Sequence, residues 1–291
     1  MANSTFVPSV PILAEAKRPR FNQRKKTIFI FSFAVAFLAF ITVAGLLLKE
    51  TAMFTDFAQK NLAPTFSHIF GTDRMGRDML ARTIKGLSTS ILIGLLASSV
   101  SAVIAAILGT MAATMGKKVD GAITWFIDLM MGIPHIVLLV LISYAIGKGF
   151  WGVTIGVAIT HWPSLARVIR GEILQIKESP YVKVAARLGQ NPLKIAIKHM
   201  IPHIFPQFLV GLVLLFPHAI LHEASVTFLG FGLSPEQPAI GVILSESMSY
   251  LSTGMWWLAF FPGLALILTV VLFDMAGGSL RKLIDPYSAQ D

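Results

Sequence analysis

This sequence predicts an all-α membrane protein with six transmembrane helices, and three observations carry the prediction. The first is apolarity. Of 291 residues, 55% are hydrophobic and only 13% are charged, and the mean hydropathy is +0.72, whereas a soluble domain carries roughly 25% charged residues. The second is a series of long apolar runs, each near the roughly 20 residues that cross a hydrocarbon core of about 30 Å. The third is the placing of lysine and arginine at the ends of those runs, as the orientation of membrane helices requires.

The elements follow in order. Residues 1–27 hold Pro8, Pro11 and Pro19 among polar and basic residues, and read as a flexible cytoplasmic tail with a juxtamembrane basic cluster. Residues 28–48 are 21 positions without a charge. That run is too long for a signal-peptide core and no small-residue cleavage site follows it, so it reads as an uncleaved first helix. With an extracytoplasmic segment it makes up 28–86. The core, 87–280, holds five further spans at 87–115, 121–147, 150–169, 204–222 and 255–273, and 281–291 is a second cytoplasmic tail. Asp128, near the start of its span, and Asp274 lie near cytoplasmic helix ends and read as structural. Trp256 and Trp257 open the last span as an interfacial belt.

With the N-terminus inside, the inner segments 1–27, 116–120, 167–203 and 281–282 carry 6, 2, 7 and 2 basic residues, 17 of the 24, and the outer ones keep 7. Both termini are therefore expected in the cytoplasm. The net charge of +9 has the same origin, so no nucleic-acid partner is expected. The chain is too short for these spans and an added soluble enzyme domain. With 0 cysteines, disulfides and thiolate metal sites are excluded. Gly94, Gly109, Gly132, Pro134, Gly156, Pro163, Gly211, Pro217, Pro262 and Gly263 lie inside the spans. Tight helix packing and a kinked bundle lining a pathway both account for them.

The segment 171–203 is the charged exception between apolar runs. Ser179-Pro180 is a helix start, with a capping hydroxyl and proline at the first helical position. Tyr181, Val184, Ala185 and Leu188 then fall on one apolar face, with Lys183 and Arg187 on the other side. Gly189 supplies a left-handed stop. Asn191-Pro192 restarts a helix in which Leu193, Ala196, Ile197, Met200 and Ile201 repeat the stripe opposite Lys194 and Lys198, before Pro202 and Pro206. Two readings of this corner are open on physical grounds: an amphipathic pair lying on anionic lipid, or a docking corner for a partner.

The same residues resemble the EAA loop of ABC importer permeases, E-A-A-x-x-x-G followed by I-x-L-P. Counted from Gly189, Lys183, Val184 and Ala185 take the E-A-A positions and His199, Ile201 and Pro202 take I, L and P, so the glutamate and one alanine are replaced. The Tyr181-Val182-Lys183-Val184-Ala185-Ala186-Arg187-Leu188-Gly189 style is similar to the dipeptide/oligopeptide/nickel branch. Gly71-Thr72-Asp73-Arg74-Met75-Gly76-Arg77-Asp78 resembles that branch's G-T-D-x-x-G-R-D. Trp162-Pro163 through Arg167, Arg170 and Glu172 resembles its W-P-x-x-A-R-x-x-R-x-E. Glu223-Ala224-Ser225-Val226-Thr227-Phe228-Leu229-Gly230-Phe231-Gly232 resembles its E-A-x-L-S-F-L-G-x-G. These matches run from about residue 68 to the C-terminus.

The resemblance implies a type I ABC importer permease fold in a bacterial cell membrane. It implies half of a pathway for peptides, with nickel or a metal–chelator complex as the alternative cargo. It also implies a second homologous permease, two cytoplasmic ATPases and an extracytoplasmic binding protein as partners. Residues 181–192 and Pro202 would contact an ATPase, with Gln190 and Asn191 at the tip. ATP and Mg would sit on those partners, with no cofactor in this chain. The 71–78 loop has P-loop glycine spacing but lacks the lysine that reaches phosphates and the Ser/Thr that holds Mg²⁺. A capped turn with alternating charges, facing the binding protein, is expected instead.

Candidate pathway residues are Met130, His161, Trp162, Phe216, His218, His222 and Glu223. His161 is an ionisable group at span depth, which ordinarily faces a cavity or partner. His218 and His222, four apart and followed by Glu223, have a spacing compatible with one metal, but two ligands without a third assign none. Readings of other classes are a secondary transporter working alone and a membrane-anchored assembly factor; the former favours inverted repeats and embedded charge pairs, neither evident here.

Overall fold

The computed structural model describes residues 23–284. The predicted tails fall largely at 1–22 and 285–291, outside the described residues. All regular structure among the described residues is helical, with one isolated bridge between Thr72 and Asp78.

The chain opens with α1 (Gln23–Leu47) and a short α2 (Lys49–Met53), then a 3₁₀ turn (Phe57–Gln59) and a loop. α3 (Met79–Thr114) has 36 residues, about 54 Å at 1.5 Å per residue, so it outreaches the predicted span at 87–115. Its extension carries Arg82 and Lys85, charges that place the apolar boundary later than the helix itself begins. Asp78 caps the extension by accepting from the Ala81 amide at 2.9 Å.

The predicted span 121–147 is two helices, α4 (Lys117–Gly132) and α5 (His135–Ile146), bent by 97°. The break falls at Ile133 and Pro134. Proline has no N–H and biases the residue before it toward extended backbone, and Ile133 takes φ −87°, ψ 135°. The other span prolines stay inside continuous helices.

α6 (Phe150–Lys177) and α7 (Pro180–Arg187) follow, then α8 (Pro192–Ile195), which passes through a π-helical turn at Ala196–Met200 into α9 (Ile201–Phe228). α10 (Ile240–Leu251) lies between the last two predicted spans, and α11 (Trp257–Ile284) completes the described residues. Among the described helices four are long and apolar enough to cross a membrane, and a fifth is gained if the bent α4–α5 pair is one span. The sixth run, 150–169, is in α6, where Thr160, His161, Trp162, Pro163, Ser164 and Arg167 interrupt the apolar residues. α6 is walled by protein instead: it runs along α3 and buries residues from Gly152 to Ile176.

Gly109 explains the closeness of that pair. A Cβ there would lie 2.7 Å from the Ala166 carbonyl oxygen and 3.1 Å from Ile169 Cβ, so only glycine allows α3 and α6 to meet at this depth. Three apolar clusters result. One joins α3, α6 and α9 to Val182 and Ala185 of α7. The second joins α1, α3, α9, α10 and α11, and the third lies among α3, α5, α6, α9 and α10.

Candidate functional site

The charged corner is built as the sequence suggests, with two differences. Ser179 is extended (φ −67°, ψ 146°) and Pro180 opens α7, where its missing N–H costs nothing. The Ser179 hydroxyl, however, does not cap α7. It donates back to the Ile176 carbonyl and so fastens the corner to the end of α6. Gly189 takes φ +75° and donates to the Ala186 carbonyl at 3.0 Å, while Gln190 donates to Ala185 at 3.2 Å. A side chain in that left-handed conformation costs about 1–2 kcal/mol, which is why glycine ends the helix.

The second difference is in the faces. Ala185 turns inward with Val182, at 7% and 3% exposure, whereas Tyr181, Val184 and Leu188 are 48%, 54% and 76% exposed. The apolar face read from the sequence is thus divided. Val182 and Ala185 are part of the core, and the other three form an unpartnered ridge beside exposed Lys183, Ala186 and Arg187. Lys183 meets Glu178 at 2.7 Å, and that bond holds the Glu178 carboxyl below its usual pKa range. The ring of Tyr181 lies 6.1 Å from that of His199, bridging α7 to the π turn. In the restarted helix Ile195, Ala196 and Met200 are buried while Ile197 and Ile201 are exposed, so the inward stripe is shifted from the expected one. Pro202 sits in the first turn of α9.

Two ion pairs brace the helices leading into this corner. Arg170 donates from Nε and Nη2 to the two carboxylate oxygens of Asp120, at 2.5 and 2.7 Å, and Arg167 meets Asp128 at 2.5 Å. Both tie α6 to α4.

A cavity of about 510 Å³ opens where α4 breaks from α5, walled by α4, α5, α6 and α9. Met130, His161, His218 and His222 line it, as does His135, the first residue of α5. Trp162 does not: it is 2% exposed and stacks on Phe126 at 5.6 Å. Phe216 faces α11, its ring 3.8 Å from that of Phe273. Glu223 is fully buried away from the cavity and accepts from the Thr227 hydroxyl at 3.0 Å. A third histidine completes a different set from the His218 and His222 spacing seen in the sequence. His135, His161 and His222, from three helices, bring one ring nitrogen each to within 4.8 Å of one another. Sequence reasoning passed over His135, and its signal was a histidine directly after a proline inside an apolar run.

The 71–78 loop is a tight ionic turn. Asp73 accepts from the Met75 and Arg77 amides at 2.8 and 3.0 Å, from Arg77 Nε at 2.7 Å and from Arg82 Nη1 at 2.5 Å. Arg82 also donates to Glu246 of α10 at 3.1 Å. The carboxylates of Asp73 and Glu246 and the guanidiniums of Arg77 and Arg82 are committed to each other, which suits a brace and not a phosphate cradle.

Comparison with known proteins agrees with this architecture. Residues 101–287 match the family described as the binding-protein-dependent transport system inner membrane component. The dipeptide transport system permease protein DppC of Bacillus subtilis is 29% identical over 286 residues, covering 98% of this chain and 89% of that protein. The oligopeptide transport system permease protein OppC of Haemophilus influenzae is 31% identical over 274 residues, covering 94% of this chain and 88% of that one. Among solved structures, a chain of the inward-facing MetNI methionine ABC transporter superposes with a TM-score of 0.59 at 16% identity, covering 71% of this chain and 98% of that chain. With the helical corner, the broken span and a family match over most of its length, this chain belongs to the family of binding-protein-dependent transport system inner membrane components, the multi-pass permeases of bacterial ABC importers.

Proposed function

We propose that this chain forms half of the translocation pathway of an ATP-driven peptide importer. It pairs with a second, homologous permease, receives cargo from an extracytoplasmic binding protein, and is driven by two cytoplasmic ATPases. Peptides are the cargo in this reading because the relatives named above are dipeptide and oligopeptide permeases. The chain crosses six times in this reading, with both termini in the cytoplasm and α6 as the crossing screened from lipid by its neighbours. It hydrolyses no ATP itself, and ATP and Mg belong to the partners.

One observation carries the coupling: the corner at 181–192 exposes the Tyr181–Val184–Leu188 ridge while its other side, Val182 and Ala185, is part of the apolar cluster of α3, α6 and α9. Force applied at the ridge reaches the bundle through packed side chains, which deform little and shift as a unit. The cavity below the bend is the pathway segment in this reading, with Met130, His161, His218 and His222 on its wall.

The test is co-purification of the ATPase with variants of this chain. Val184→Asp places a charge on the ridge without touching the core, and ATPase recovery is expected to fall about tenfold or more, as for a central contact worth at least ~1.4 kcal/mol. Unchanged recovery at normal expression would refute the docking assignment. ATP-dependent peptide uptake by the reconstituted complex checks the cargo, and solute movement by this chain alone down an ion gradient would favour a secondary transporter.

A further inference from the structure

We propose that His135, His161 and His222 form a binding site for a divalent transition-metal ion on the wall of the cavity. The placement on a transport path rests on the import reading; the metal binding does not. Each imidazole comes from a different helix, α5, α6 and α9, and the ring centroids lie 4.5, 4.4 and 5.0 Å apart in the three pairings. One ligand atom from each lies within 4.8 Å of the other two. Nitrogens mutually within this limit lie no more than about 2.8 Å from a common point, so each has to close in by up to about 0.7 Å, through rotation of its ring, to reach the roughly 2.0–2.1 Å of a metal–nitrogen bond.

The hydrogen bonding points the same way. His161 Nδ1 lies 2.8 Å from the Val157 carbonyl. A carbonyl only accepts, so Nδ1 carries the proton and Nε2 presents a bare lone pair. That nitrogen is buried without a hydrogen-bond partner, and so is Nε2 of His135. Two imidazole nitrogens left unpaired side by side are unfavourable in a packed protein, and a cation between them relieves both. A backbone carbonyl on the opposite ring nitrogen is also how metal-binding imidazoles are ordinarily oriented.

The chemistry of the donors sets the class of ion. Neutral imidazoles favour nickel, copper, zinc or cobalt over magnesium or calcium, which take oxygen ligands. No carboxylate belongs to the set, so the ion keeps its full charge. Three protein ligands leave at least one coordination position free for water or another ligand, and the site borders an open cavity. These are the properties of a site that exchanges its ion, unlike a closed structural one. A free ion and an ion held by a small chelator both fit that chemistry.

Cobalt(II) titration of the purified full-length chain in detergent tests the proposal through the visible d–d absorption of a bound ion. One ion per chain is expected, with competition by Ni²⁺ and Zn²⁺. His161→Ala and His222→Ala should each weaken binding by about tenfold or more, whereas His218→Ala, which removes the histidine outside the set, should leave it within about threefold of the parent. Because the chain has 0 cysteines, His222→Cys should introduce a thiolate-to-cobalt charge-transfer band that arises at this position alone. That gain of signal distinguishes lost ligation from lost folding. A parallel titration with a preformed Ni²⁺–histidine complex separates the sources: binding of Co²⁺ alone identifies the free ion, and binding of the complex only identifies a chelate. The proposal is overturned if neither binds above the level of the variant lacking all three imidazoles, or if His218→Ala abolishes binding equally. Co-purification with the ATPase needs no metal, so the import reading stands or falls separately.

Discussion

At the scale of single residues the 71–78 loop and the start of α3 hold the largest concentration of buried charge among the described residues. Asp73 is 5% exposed and Arg82 2%, and the carboxylate is shared between two guanidiniums while also closing its own turn. Removing one member of such a set leaves the others charged, desolvated and unmatched, which typically costs about 3–5 kcal/mol. Asp73→Ala is therefore expected to lower thermal stability in detergent sharply, and Glu246→Gln much less, because Glu246 is the member with most access to water, its side chain 22% exposed. Comparable shifts in fluorescence-monitored melting would contradict this ordering. The Gly-Thr-Asp run thus does its work through Asp73, whose partners in space are Arg77 and Arg82.

At the scale of elements, the contact between α3 and α6 depends on a missing methyl group. Gly109→Val would drive a side chain into the Ala166 carbonyl and Ile169. Overpacking of this kind costs about 1–3 kcal/mol, and the expected result is a folded protein with lower stability and reduced uptake in proteoliposomes; unchanged melting would mean that the helices can separate freely here. The elements differ in how well the sequence announces them. α1, α3, α9 and α11 are visible as apolar runs because lipid contact and burial both select apolar side chains. The corner was visible because proline and glycine dictate backbone geometry locally, whatever packs around them. The break before α5 was less so. A proline inside a span is compatible with a continuous helix, as Pro163, Pro206 and Pro262 show, and only packing selects the break at Pro134. α10 was missed because Ser245, Glu246 and Ser247 interrupt its apolar pattern; Glu246 meets the outer arginines and Ser247 donates to the Leu258 carbonyl at 2.8 Å.

At the scale of the whole molecule, the corner and the cavity share the helices α6 and α9. Ile169 is fully buried in the cluster that also contains Val182 and Ala185. Ile169→Ala should cost about 2–5 kcal/mol and also accelerate amide hydrogen exchange across α7, although α7 is more than ten residues away in sequence. Faster exchange confined to α6 would show that the corner is not rigidly joined to the bundle. The imidazole set lay beyond sequence reasoning for a related cause. His135, His161 and His222 are separated by 26 and 61 positions, and periodicity relates only residues on one helix. It relates His218 to His222 by spacing, whereas the three imidazoles are brought together from three helices.

The corner also separates two kinds of inheritance. Val182, Ala185 and Gly189 determine where it stands and at what angle, while Val184 and Leu188 determine only what it shows, and Tyr181 shares in both because its ring also meets His199. Substitution in the second set leaves the bracket intact. Under the docking proposed above, a lineage could re-address such a permease to a different motor by changing these exposed side chains, and a chimera carrying another relative's ridge on this backbone would change its company while keeping its mechanics.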